Sequence, residues 1–229
     1  RSRGVERPPP WAAPDRLSAQ HNSSAVSDTL MFRGMASAWS FVNPANRLPL
    51  YIGGRYIPQL NYNVKLPQKS LIDFEGSLNL SGQSGFSRSE QFSEGNISPY
   101  RLWARFSTNQ FETRIGLQKI NFGSAMMLRP LMWFDQVDPR DPLQLTNGVW
   151  ALLSRYYFLN NTNIWFWAVH GSNKPRTWEI SPSNAGFPEL GGRIQTPVKS
   201  GEAGLSYHFR MADTRHLGTQ DSEVPENRL

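Results

Sequence analysis

The 229 residues contain no cysteine, which excludes disulfides and thiolate metal sites. No stretch approaches the ~20 consecutive apolar residues of a transmembrane helix. No apolar signal-peptide core follows Arg1, so a signal has been removed or lies upstream. Charged residues are scarce at 18%, below what an α-rich soluble domain carries on its surface. The 24 Lys and Arg set a net charge of +6 but form no basic run and no recognition helix, so nucleic acid is not an expected partner. Neither G-x-S-x-G nor H-E-x-x-H occurs. Ser206 and His208 share one face of an alternating segment without the rest of a catalytic constellation, and no enzyme is expected.

Aromatics are abundant instead: 8 Trp, 7 Tyr and 13 Phe. The mean hydropathy of −0.51 does not exclude a membrane protein. Barrel strands carry their apolar face in every second residue, and averaging erases it. After a Pro-rich leader over 1–29, alternation begins at Leu30. From Arg55 to Leu66, Tyr56, Pro58, Leu60, Tyr62, Val64 and Leu66 oppose Arg55, Gln59, Asn61, Asn63 and Lys65. This is the period of a strand with one apolar and one polar side. Pro58 lacks a ladder donor and marks an edge, a bulge or a strand end. Ile72–Leu80, Arg101–Ser107, Phe111–Gln118 and Ala203–Arg210 repeat the pattern, and Leu30–Phe41 is a weaker first strand. Val149–Phe158 and Asn163–His170 are apolar on both faces, so the facing of Trp165 and Trp167 stays open.

Eight strands are thus expected. Their connections are 42–49, 67–69, 81–99, a turn at Asn109, 121–147, a turn at Asn160, and 172–197. From the third onward they alternate long and short, as in an up-and-down barrel with external loops on one side and short periplasmic turns on the other. The expected fold is all-β, an antiparallel transmembrane barrel over 30–211 with external loops 81–99, 121–147 and 172–197. Residues 212–229 read as a polar connection into a missing next strand, which makes the chain a section of a larger barrel. Tyr51, Tyr100, Trp103, Trp150, Tyr156, Phe158, Trp165 and Trp167 fall near strand ends, where interfacial girdles sit.

The stretch Arg114-Ile115-Gly116-Leu117-Gln118-Lys119-Ile120-Asn121-Phe122-Gly123 resembles the strand-plus-loop signature of large porin-like outer-membrane barrels of Bacteroidota. Leu128–Asp135, Asp138–Leu143, Arg155–Phe158 and Ile164-Trp165 are similar too, and the likeness covers roughly residues 30–229 as the N-terminal part of such proteins. It implies an outer-membrane location and a pore or transport role, with no substrate and no catalytic residues.

On the polar face, Arg101, Arg105, Arg114 and Arg155 are candidates for the pore lining, together with Asp73, Glu75 and Glu112. A ring of basic side chains would favour anions. Pairing with the carboxylates would instead make a stiff, neutralised wall, the weightier of the two readings. In the 121–147 loop, Arg129, Trp133, Asp135, Asp138, Arg140 and Asp141 are candidates for a constriction. Oxygen-rich Asp spacing could suit Ca²⁺, but the glycine and glutamate of an EF-hand are missing and no metal or cofactor is expected. The partners that follow are outer-membrane lipid and small solutes, anions among them, with a homo-oligomer as a further option. Two alternatives stand beside the porin: a soluble or surface-attached β-sandwich that binds carbohydrate through exposed aromatics, and a barrel serving as enzyme or assembly platform.

Overall fold

A computed structural model describes residues 28–122, 133–137, 141, 143, 145–172, 174–176, 179–215 and 223–228. Residues 1–27 of the leader expected over 1–29, and Arg129, Asp138 and Arg140, lie outside the described residues. The chain is all-β. Ten strands form one antiparallel sheet in the order β1 (Thr29–Val42), β2 (Leu50–Leu66), β3 (Ser70–Phe86), β4 (Gln91–Ser107), β5 (Phe111–Gln118), β8 (Val149–Tyr157), β9 (Asn163–His170), β10 (Pro188–Val198), β11 (Gly201–Asp213) and β12 (Glu223–Arg228). Two short strands, β6 (Gln136–Val137) and β7 (Thr146–Asn147), pair with each other. The main sheet is a meander in which every strand lies next to its chain neighbour in that list, and it is not closed.

Register divides the sheet into two faces. Leu60 pairs with Phe32, Tyr62 with Phe74, and Val64 with Ile72, which pairs in turn with Phe106. Ile115 pairs with Leu152, and Ile194 with both Ile164 and Leu205. All of these sit on one face, and most are exposed: Phe32 64%, Ile115 61% and Leu205 65%. The opposite face carries the charges. Asp73 faces Arg105, Glu112 faces Arg155, and Arg210 faces Glu226 across adjacent strands. A one-residue slip at any pairing would exchange the two sets, so register is strongly specified.

Three segments expected as connections are strands. Residues 81–86 and 91–99 extend β3 and β4 around a four-residue turn at 87–90, where loop 81–99 was expected. Their Ser, Gly, Gln and Asn content reads as loop because those residues have low strand propensity. Here the ladder to β2 supplies what propensity does not, with Gly54 opposite Gly82 and Gly82 opposite Gly95. A bulge at Tyr100 also changes the phase. Ile97 and Pro99 precede it on the apolar face and Leu102 and Ala104 follow it there, so no single alternation runs through the strand. Likewise β10 occupies 188–198 of the expected loop 172–197, and β12 lies within the tail expected to be connection only. Pro58 falls where the β2–β3 ladder lapses, between Tyr56 and Gln59. Pro225 sits in edge strand β12, where a missing donor is tolerated.

Successive turns of a meander lie at alternating ends of the sheet. The connections 67–69, 108–110, 158–162 and 199–200 share one end. At the other end are 43–49, 87–90, 119–148, 171–187 and 214–222, which include every long one.

Gly116 has φ +123°, in the region that favours glycine, and a Cβ there would collide with the Leu102 carbonyl oxygen. Gly76, in β3, has open space around it. Gly116→Ala is expected to lower the unfolding free energy by about 1–3 kcal/mol, read from a denaturant titration. Gly76→Ala should leave it unchanged or slightly raised in the same denaturant titration.

Candidate functional site

The polar face is lined by arginines held between carboxylates and aromatic rings. Arg105 donates to Asp73 through Nε (2.7 Å) and a terminal nitrogen (2.5 Å). Glu112 is approached by three guanidinium groups, those of Arg114 (3.3 Å), Arg105 (3.8 Å) and Arg155 (3.9 Å). Glu75 lies between Asn61 and Trp103 in the adjacent strands. The guanidinium carbons of Arg114 and Arg155 lie 4.5 Å and 3.9 Å from the ring centres of Trp103 and Trp165, and Arg101 stacks 4.0 Å from Tyr100. Such contacts strengthen where water is displaced. The seven residues expected on one face are therefore on one face, and the arrangement is a paired lattice more than an open ring of cations. Four arginines (101, 105, 114, 155) against three carboxylates (73, 75, 112) leave one positive charge in excess.

This geometry settles the facing of the two apolar strands and corrects part of the girdle expectation. Trp103, Trp165, Trp167 and Tyr51 belong to the polar face, where rings stack on arginines or cover glycines; Trp150, Tyr156 and Phe158 remain with the apolar face. Trp167 is fully buried and lies over Gly191 of the next strand, where a Cβ would overlap its indole.

The described parts of both long connections lie over the polar face. Ile120, Phe122 and Phe134 pack with Val149, Ala151, Leu153, Trp167 and Val169 into the molecule's hydrophobic cluster, with Trp133 and Trp165 against it. Trp133 stacks on His208 at 5.6 Å, and Phe134 meets the same ring edge-on at 5.2 Å. Asp135 is buried beside them. At the far end of this segment, Asp141 accepts two hydrogen bonds from one nitrogen of Arg55 (2.8 and 2.9 Å) and two more from the amides of Leu143 and Leu145. Arg101 donates to the Thr146 carbonyl at 2.9 Å. The segment is thus fastened to β2, β4, β9 and β11. Of the six constriction candidates, Trp133, Asp135 and Asp141 are described, and Asp141 sits against the sheet at a different place from the other two.

The second connection carries Arg176, which donates to both oxygens of Glu189 (2.7 and 2.9 Å). Glu189 also meets His208 Nε2 at 3.1 Å, and Trp167 Nε1–H donates to His208 Nδ1 at 3.1 Å. Since Nδ1 accepts, Nε2 carries the proton and donates to Glu189. Ser206 Oγ accepts from Arg193 at 2.8 Å. Glu179, Arg210, Glu226 and Arg228 extend the network to the edge strand. Sequence patterning missed Arg55, Arg176 and Glu189 as site residues. Arg55 pairs with a residue 86 positions away, and the other two fell in an expected loop.

Among the described residues no group of three His, Cys, Asp or Glu could hold a metal. No family model, no curated protein and no solved structure matches the chain.

Burial raises the proton affinity of the Asp141 carboxyl, but the Arg55 hydrogen bonds, the two amides and the Arg55 charge outweigh it. They hold the group below its ordinary value of 3.8. A depressed pKa stabilises the contact fully above the ordinary value, and that stabilisation is lost as pH falls through the folded one. Because the chain has no cysteine, a probe on Leu143→Cys reports this segment alone. It should stay immobile at neutral pH and loosen only below pH 3.8. With Asp141→Asn it should be loose throughout.

Proposed function

We propose that this chain forms wall of an outer-membrane porin-like channel, with lipid against the apolar face and small solutes passing along the polar one. The observation that carries the reading is an apolar face that runs across the sheet, is covered by none of the described residues and is backed by buried, paired charges. A soluble protein of this size rarely exposes apolar patches beyond a few hundred Å². A soluble sandwich would cover such a face with a second sheet. Among the described residues the only other sheet is the β6–β7 pair, which belongs to the segment folded over the polar side. Short connections at one end and long ones at the other match the periplasmic and external ends of an outer-membrane barrel. In hydrocarbon every strand edge needs a partner, so β1 and β12 are completed there by further strand segments or by a second copy.

Within this reading the two inward-folded connections narrow the path, and the Arg101–Arg105–Arg114–Arg155 group gives the lumen a weak preference for anions. Two measurements test it. Ile115→Arg places a cation on the apolar face, at a cost of about 2–4 kcal/mol at mid-bilayer. It should abolish heat-modifiable folding in lipid vesicles, whereas a soluble sheet would accept it at that exposed position. In a planar bilayer under a KCl gradient, stepwise conductance with an anion/cation permeability ratio above one is expected, lowered by Arg105→Ala and by Arg114→Ala. Absence of conductance overturns the channel, and a cation-selective wild type overturns the anion preference.

A further inference from the structure

A cleft of about 390 Å³ opens between the polar face of β1–β4 and the segment fastened by Asp141. Its floor is a small lattice set by register. Trp39, Gly53, Gln83 and Glu94 form one row; Arg55, Ser81 and Asn96 form the next; Asn79 and Ser98 form a third beside Tyr100. Asp141, Leu145 and Asn147 close it from above.

We propose that this cleft is a binding subsite for a neutral saccharide. The proposal rests on the channel reading only in taking this face as the path of solutes. Three features select the ligand class. A Cβ on Gly53 would overlap the Trp39 indole, so the ring is held close against the sheet at the cleft, with the Arg55 guanidinium carbon 5.8 Å from its centre. A flat ring offers a platform for the C–H face of a pyranose. Around it stand planar amides and hydroxyls, groups that both donate and accept, as sugar hydroxyls do. Asn79 lines the cleft, and its Oδ1 is buried with no hydrogen-bond partner among the described residues, an acceptor that calls for a donor.

Charge excludes the other classes. Among the described residues, the charged groups of the cleft are Arg55, Asp141 and Glu94. Arg55 and Asp141 neutralise each other at 2.8 Å, which leaves Glu94 and one negative charge. Among the described residues a phosphate or carboxylate ligand would meet no uncommitted cation. An apolar ligand would find Leu145 as its single aliphatic neighbour among them. The size falls in the range of small-molecule sites. Most of the floor comes from the Ser-, Gly- and Asn-rich strand segments within 79–98, so the residues that look least like strand carry the site.

The test uses the full chain folded in detergent, titrated calorimetrically with maltose, cellobiose and lactose, and with glucose 6-phosphate as the anionic counterpart. Saturable binding of at least one disaccharide is expected, with glucose 6-phosphate weaker. Trp39→Ala and, independently, Asn96→Ala should each weaken binding by about tenfold or more. Trp39→Phe, which keeps a ring over Gly53, should retain part of it, and Trp150→Ala on the apolar face should leave it unchanged. Circular dichroism and heat-modifiable mobility identify the variants that fold, and only those are compared. No binding of any disaccharide well above the millimolar range, equal binding by Trp39→Ala, or preference for the phosphate overturns the site. Binding without conductance would overturn the channel and leave the site standing; conductance without binding does the reverse.

Discussion

A sheet one layer thick has no interior of its own, and each of its faces must be satisfied by whatever lies against it. Here one face carries Arg55, Arg101, Arg105, Arg114, Arg155 and Arg210, each set against a carboxylate, a backbone carbonyl or an aromatic ring. Leaving one of these guanidinium groups unpartnered in a dry setting would cost several kcal/mol. Cross-strand register removes that cost by placing Asp73 against Arg105 and Glu112 among three arginines. The remaining architecture follows from this pairing. Strands that slipped by one residue would put arginine on the apolar side and leave acids unpaired.

The same constraint explains why the long connections turn inward. Phe122, Trp133 and Phe134 have apolar surface to bury, and the polar face offers a patch for it where Val149, Ala151, Leu153, Trp167 and Val169 come together. That patch is the reason β8 and β9 are apolar on both sides. One side belongs to the exposed apolar face and the other receives the folded-over connection. Asp141 then reaches Arg55 on the other side of the segment, and the interval between the two anchors leaves the cleft over β1–β4. Packing at one place and an ion pair at another thus define an opening that the ion pair itself helps to line.

Small residues set how closely aromatic rings approach the sheet. Trp39 lies over Gly53, Tyr51 approaches Gly85 and Trp167 covers Gly191, each from a neighbouring strand. A side chain in any of these places would lift the ring from the sheet. Aromatic cover of strand glycines also offsets the weakness of glycine in a strand. It links the abundance of Trp to the geometry of the polar face.

By itself the sequence determined the all-β, antiparallel class and which residues share a face, because period-two alternation is a local property. Asp73, Glu75, Arg101, Arg105, Glu112, Arg114 and Arg155 could be placed together from spacing alone. Only the tertiary structure decided the facing of Trp165 and Trp167, since an apolar strand with two occupied faces has no contrast to read. It also decided that 81–86, 91–99 and 188–198 are strands. Their Gly, Ser and Asn residues take the extended form through hydrogen bonds to neighbouring strands, and the Tyr100 bulge breaks the period within β4. The Arg55–Asp141 contact was invisible for the plainest reason: an ion pair between residues this far apart in the chain exists only once the intervening strands are laid side by side.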